Sequence, residues 1–230
     1  MYNLVDFISI LLLIIITLLI ALRWPAISKI LLIALTVRLI FLFVNNHIFY
    51  LPDGDMDAKS FERFAWVMSQ DNFYKNLNNN SRPSAYFYSF LLSIPYSLFG
   101  RSILLVQSLS ILVGIGSVFL GWLVAKKLWD NSTAIKVAWS IALFPTLVSY
   151  SVLTMREVYI SFFLLLAMYG IVNWVRFNNY KSLFLIFIGL LFYYLSKTRE
   201  NLQVEYIELL DGILSKTGPS QKYYGKKYIW

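Results

Sequence analysis

The length of its apolar blocks constrains this chain more than any other feature. The run from Val5 to Leu22 (VDFISILLLIIITLLIAL) is apolar almost throughout, and comparable blocks recur further on. A block of about 18 or more such residues, wound as a helix, crosses the ~30 Å hydrocarbon core of a bilayer. A soluble helix keeps a polar face, whereas these blocks are apolar all round. The sequence therefore specifies an all-α fold, a polytopic membrane helix bundle. With 59% hydrophobic and 14% charged residues over 230 positions, little is left over for a separate soluble domain. The first block is too long for a signal-peptide core. It has no basic n-region and no small-residue cleavage site before Arg23-Trp24-Pro25, so it is expected as a span of the mature chain.

Six segments have the length and composition of spans: 5–22, 30–49, 103–125, 134–152, 158–175 and 182–196. A seventh, Ser84–Phe99, has sixteen residues and carries Pro95 inside. As a helix it would rise about 24 Å, short of the core, so it fits one leaflet or the surface. Six to seven transmembrane helices are thus expected, with residues 1–196 as the membrane domain. If 84–99 does not cross, Arg23 and Lys29 share a side with Lys126, Lys127, Lys136, Arg176 and Lys181. The positive-inside rule makes that side cytoplasmic. The loop 51–83, the first major loop, then faces outward together with Thr154-Met155-Arg156-Glu157. A crossing at 84–99 would put Lys126, Lys127 and Lys136 outside, against the rule.

The net charge of +8 belongs to these basic loops and to lipid headgroup contacts. No soluble segment holds a basic patch with interleaved aromatics, so nucleic acid is not an expected partner. The absence of cysteine excludes disulfides, thiolate metal sites and cysteine nucleophiles. Within the loop, Phe61, Phe64, Ala65 and Met68 have the spacing of a helix lying on the membrane surface. Residues 197–230 form a polar, basic tail in which Leu202, Tyr206, Leu209, Leu210 and Ile213 line up as one amphipathic set. No repeat of about 20–50 residues is present.

Three places hold candidate chemistry. The stretch YLPDGDMDAKSFERFAW (50–66) puts Asp53, Asp55 and Asp57 at the exit of a span. A calcium loop of the D-x-D-x-D-G type would need glycine where Ala58 stands and glutamate where Phe64 stands. A solvated turn, with Asp57 capping the following helix, is the plainer reading. Arg38 lies midway along 30–49. A cation there costs about 2.5–3.5 kcal/mol on insertion scales and normally faces a bundle interior or aqueous cavity; snorkelling is the alternative. His47 reads as interfacial. Arg156-Glu157 interrupts an apolar run without a nearby Gly, Pro or Asn, so it reads as a site-lining or internal ion pair, with a simple turn as the alternative. Asn79-Asn80-Ser81 and Asn131-Ser132-Thr133 match glycosylation sequons, which are common by chance.

The order of these pieces resembles the GT-C superfamily of membrane glycosyltransferases, in the branch with protein O-mannosyltransferases and bacterial lipid A aminoarabinose transferases. The resemblance covers about 35–196. It rests on Arg38 within a span, on Asp57 followed by Phe61 and Ala65, on Arg82-Pro83-Ser84-Ala85-Tyr86-Phe87-Tyr88, on LFGRSILLVQSLSILVGIGSVFLGWLVAKKLWD (98–130), and on SVLTMREVYISFFLLLAMYG (151–170). It departs from the family at Ala58 and Gln107, where relatives carry an acid and an arginine, and in the extra first span. Members are also longer, so the resemblance implies an N-terminal half, with the tail read as the end of a truncated product.

What the resemblance implies is transfer of a sugar from a polyprenyl-phosphate carrier to a glycan, lipid or protein acceptor at the outer face of a bacterial cytoplasmic membrane. The acceptor hydroxyl loses a proton as it attacks, so a carboxylate serves as general base. On this reading the base is Asp57, with Asp55 as its nearest rival. Arg82, Arg156 and Arg38 meet the phosphate charge. Glu157 orients an arginine or, with Asp53 and its neighbours, shares a divalent metal; no other cofactor is implied. A transporter or flippase for lipid-linked sugars, and a non-catalytic membrane partner in surface polysaccharide assembly, are the rival readings.

Overall fold

The computed structural model describes residues 4–52, 54, 57–70, 87–178 and 180–197. By internal packing the chain divides into Met1–Lys197 and Thr198–Trp230, and the second unit lies outside the described residues. Every regular element among the described residues is helical: α1 (Leu4–Arg23), α2 (Pro25–His47), α3 (Asp57–Gln70), α4 (Phe87–Phe99), α5 (Ile103–Leu128), α6 (Asn131–Leu143), α7 (Pro145–Val152), α8 (Arg156–Phe177) and α9 (Lys181–Lys197). Four of them, α1, α2, α5 and α8, are long and apolar enough to cross a membrane. The pair α6–α7 makes a fifth if it is counted as one broken span. The chain is a multi-pass integral membrane protein.

Sequence chemistry accounts for the helix ends. Pro25 opens α2, where its missing N–H is no loss and its fixed φ fits the first turn. Ser102 caps α5 by accepting from the Leu105 N–H at 3.0 Å. Asp130 caps α6 by accepting from the N–H groups of Ser132 and Thr133. Its carboxyl is held below the ordinary range, first by the Thr133 hydroxyl and further by those N–H groups. Asn178 ends α8 in the left-handed conformation, φ 47°, which Asn tolerates better than most residues.

α5 is the central helix and contacts α1, α2, α6, α7 and α8. The innermost core combines Ile27, Leu31 and Ala34 of α2 with Ile111, Ile115 and Val118 of α5, and with Ala134, Ala138 and Ala142 along one stripe of α6. Between helices in lipid, burial from water is not the driving force. Close van der Waals approach over small residues takes its place. At the α8–α9 contact, a Cβ on Gly189 would lie 2.7 Å from both the Ala167 nitrogen and the Phe163 oxygen, so only glycine lets these backbones meet. Outward faces carry large apolar side chains such as Phe7, Leu19, Ile40, Phe43, Val175 and Phe187.

Two sequence expectations are corrected in detail. Segment 134–152 is not one straight span: α6 and α7 meet at a 53° bend. Phe144 is extended there (φ −62°, ψ 116°), and Pro145 has no N–H to continue the ladder. Helix α3 forms as expected, with Asp57 as its first residue, but its buried positions are Ala58, Glu62 and Ala65; Phe61, Phe64 and Met68 are half-buried. The inward face is thus rotated to include a carboxylate. In the segment expected to fall short of the core, α4 has thirteen residues and rises about 20 Å. The end of α2 and the start of α5 lie at the same end of the bundle, around one cavity, so the chain between them returns to the end it left.

Candidate functional site

A cavity of about 470 Å³ opens at that end of the bundle. Its walls come from six places in the sequence. Asp6 is contributed by α1, Asn45 and Asn46 by the last turns of α2, Tyr50 and Gly54 by the loop beyond, and Ala58, Lys59 and Glu62 by the first turns of α3. Arg101, Ser102, Ile103, Leu104 and Gln107 lead into and open α5, and Leu153 and Thr154 follow α7. Besides Tyr50, nine of the fifteen lining residues carry polar or charged side chains, set among apolar surface.

An amide network forms one part of the wall. Asn45 Nδ2 donates to Asn46 Oδ1 at 3.0 Å, and Asn46 Nδ2 donates to Gln107 Oε1 at 3.2 Å. Asn45 Oδ1 also accepts from the Leu51 N–H at 3.0 Å, which folds the loop back over the helix end. Gly54 sits tightly in this fold, where a Cβ would lie 2.9 Å from the Leu51 carbonyl oxygen and 3.1 Å from Leu153. On the far side, Thr154 Oγ1 donates to the Ala58 carbonyl at 2.8 Å and ties the end of α7 to α3. Asp6 is buried in the first turn of α1 and accepts from the Ser102 hydroxyl, joining α1 to the α5 cap.

An ion pair holds α3 against α4 and α5. Arg101 donates from Nε and Nη2 to the two oxygens of Glu62, each at 2.9 Å, a bidentate geometry that fixes orientation as well as distance. The Tyr96 hydroxyl donates to the same carboxylate at 3.0 Å, and the Arg101 guanidinium lies 5.6 Å from the Trp66 ring. Glu62 is only 6% exposed. Its hydrogen bond, and then its charge, hold Arg101 above the ordinary arginine value. Lys59 Nζ lies 4.4 Å from the Tyr50 ring at the same mouth.

The residues singled out by sequence fall in three groups. Asp53, Asp55 and Arg82 lie outside the described residues. Asp57 begins α3, and the next residue, Ala58, lines the cavity. Arg156 and Glu157 open α8 two residues beyond Thr154, paired at 3.3 Å (Nε to Oε1), and the second Glu157 oxygen is buried without a hydrogen bond among the described residues. Arg38 is brought to neither the cavity nor the mouth. It is fully buried in the core, donating from Nε to Ser151 Oγ at 3.0 Å and from Nη1 to the carbonyls of Ala34 and Ala142 at 3.1 Å each. Among the described residues, no three His, Cys, Asp or Glu converge as metal ligands.

Sequence reasoning missed Asp6, Asn45, Asn46, Lys59, Glu62 and Arg101. One signal was available, since a carboxylate at position 6 opens an apolar run as abruptly as Arg38 interrupts one. The Glu62–Arg101 pairing spans 39 residues and depends on how α3 meets α4, so no local pattern announces it.

The opposite end of the bundle is basic. Arg23, Lys29, Lys126, Lys127, Lys136, Arg176 and Lys181 are set there against Asp130. Lys126 lies over Trp122 at 4.7 Å and Lys127 over Phe177 at 4.6 Å, aromatic neighbours typical of an interfacial belt. Comparison of the chain with protein-family profiles, curated proteins and solved structures finds no match.

Proposed function

We propose that the chain is a membrane glycosyltransferase of the GT-C type, or part of one, which moves a sugar from a polyprenyl-phosphate carrier to an acceptor. The observation that carries the reading is the polar cavity at the bundle end, bordered by Gly54 and Ala58 within the aspartate-rich stretch. Its volume lies in the range of small-molecule pockets, roughly 300–1,000 Å³. A site at the membrane surface suits a substrate with a lipid tail in the bilayer and a polar head outside it.

On this reading α1, α2, α5, α6–α7, α8 and α9 make six crossings, and the basic end is cytoplasmic by the positive-inside rule. The cavity and loop 51–83 then face outward, in a bacterial cytoplasmic membrane. Asp57, with Asp55 as the alternative, removes the acceptor proton. Arg156, which opens α8 beyond the cavity wall, and Arg82 meet the charge that grows on the leaving phosphate. The amides of Asn45, Asn46 and Gln107 offer both donors and acceptors to sugar hydroxyls. A divalent metal shared by the loop aspartates and Glu157 belongs to the same proposal.

The test is transfer of radiolabelled sugar from polyprenyl-phosphate donors by the purified, membrane-reconstituted protein. Asp57→Asn is expected to lower transfer by about 10²-fold or more, the scale of a lost general base, with insertion unchanged. Near-full transfer in that variant removes Asp57 from the role. The broken span α6–α7 is the one feature that favours a lipid-linked sugar transporter, since such helices often line transport sites. Movement of the lipid without sugar transfer would select that reading.

A further inference from the structure

We infer that Arg38 is a positioning residue: it fastens the two halves of the broken span and so holds the Leu153–Thr154 wall of the cavity in place. The inference concerns the wall and not what the cavity binds, so it stands or falls separately from the glycosyl-transfer reading.

Three observations converge on it. First, the partners of Arg38 sit on both sides of the break. Nη1 donates to the Ala142 carbonyl in the last turn of α6, and Nε donates to Ser151 Oγ in the last turn of α7. With Phe144 extended and Pro145 lacking an N–H, the last carbonyls of α6 have no helical donors to follow them, and the guanidinium supplies one. Second, space has been made for this contact. A Cβ on Gly114 of α5 would lie 2.8 Å from the Ser151 Cβ and 3.2 Å from Arg38 Nε, so glycine there lets three helices meet around one side chain. Third, the fastened half leads directly to the site. Ser151 is followed within three residues by Leu153 and Thr154, both in the cavity wall, and Thr154 is bonded to Ala58 of α3.

Arg38 is not itself in that wall, and its described partners are all neutral oxygens. Its planar fork is what the arrangement uses. An ammonium is a point donor and cannot span Ser151 and Ala142 in the same way.

The chain has no cysteine, so single cysteines report cleanly. Leu153→Cys marks the wall, since Leu153 is 2% exposed, and Val118→Cys marks the core of α5, since Val118 is 0% exposed. The measurement is the rate of N-ethylmaleimide labelling of the full chain in phosphatidylglycerol-containing nanodiscs. Arg38→Met and Arg38→Lys are each expected to raise labelling at Leu153→Cys about tenfold, the scale of one weakened local contact, and to leave Val118→Cys unchanged. Ser151→Ala should raise it less. The double variant Arg38→Met/Ser151→Ala should label no faster than Arg38→Met alone, because both act through one bond. If the Arg38 variants fail to insert, Ser151→Ala decides. Unchanged labelling at Leu153→Cys overturns the inference. So does an equal rise at Val118→Cys in Ser151→Ala, or wild-type labelling in Arg38→Lys.

Discussion

Two arginines brace the same cavity from different depths, and they do so by opposite chemistry. Arg101, at the rim, is bound by a carboxylate, and its side chain is 46% exposed. Arg38, in the core, is bound only by neutral oxygens and is fully buried. At the rim, water screens the pair and its main product is geometry, a fixed angle between α3 and the start of α5. In the core there is no screening, and every N–H of the cation seeks an oxygen; Nη2 finds none among the described residues. The contrast teaches that a buried charge in a membrane bundle does not require an opposite charge when a helix break leaves carbonyls without donors.

That contrast can be broken in graded steps. The largest effect is expected from Arg38→Lys, which keeps the charge and loses the fork. Thermal or denaturant unfolding in detergent should show a loss of about 3–5 kcal/mol, the scale of an uncompensated buried charge. Arg38→Met, which removes the charge and leaves orphaned oxygens, should cost less, about 1–3 kcal/mol. A Lys variant as stable as the Met variant would sink the argument from fork geometry. At the rim, Glu62→Ala removes the acceptor of both Arg101 and Tyr96 and should cost about 1.5–3 kcal/mol. Because Arg101 can turn to water, restoring an acceptor with Glu62→Gln should recover part of it.

Smaller effects sharpen the picture. Thr154→Val keeps the shape and deletes the bond to Ala58, so a loss of about 1 kcal/mol is expected, together with faster labelling of the cavity wall. Smallest is Asp130→Ala at the opposite end, where the carboxylate is fully exposed. Its folded-state pKa is depressed, so its stabilisation is complete above the ordinary carboxylate value of about 3.9 and fades as pH falls below it. Melting curves of wild type and variant should therefore converge in acid; a gap that widens there would contradict the cap.

How much of this was legible in the sequence follows from which forces act locally. Spans were readable because a bilayer demands long apolar runs, and the basic end was readable because charge and topology are linked. The break at Pro145 was written in the chain, yet the surrounding residues are apolar enough for 134–152 to read as one helix. Reading Arg38 as interior was sound. Its partners were not readable, because Ala142 offers only a backbone carbonyl and nothing in a side-chain pattern marks it. Helix α3 was found from Phe61, Phe64, Ala65 and Met68, but its rotation was missed, since Glu62 turns inward only because Arg101 and Tyr96 wait there. The acidic stretch adjoins the cavity at Gly54 and Ala58, while the amides and Asp6 that line the cavity carry no motif.

The bonds of Arg38 also set a timetable for biogenesis. Ala142 and Ser151 lie 104 and 113 residues further along the chain. At about 5–20 residues per second, a ribosome delivers them roughly 5–20 s after Arg38 itself. Until then, the Ala34 carbonyl of its own helix is the one of these three partners already made. The full set of bonds around this buried cation can thus form only after α6 and α7 have been made.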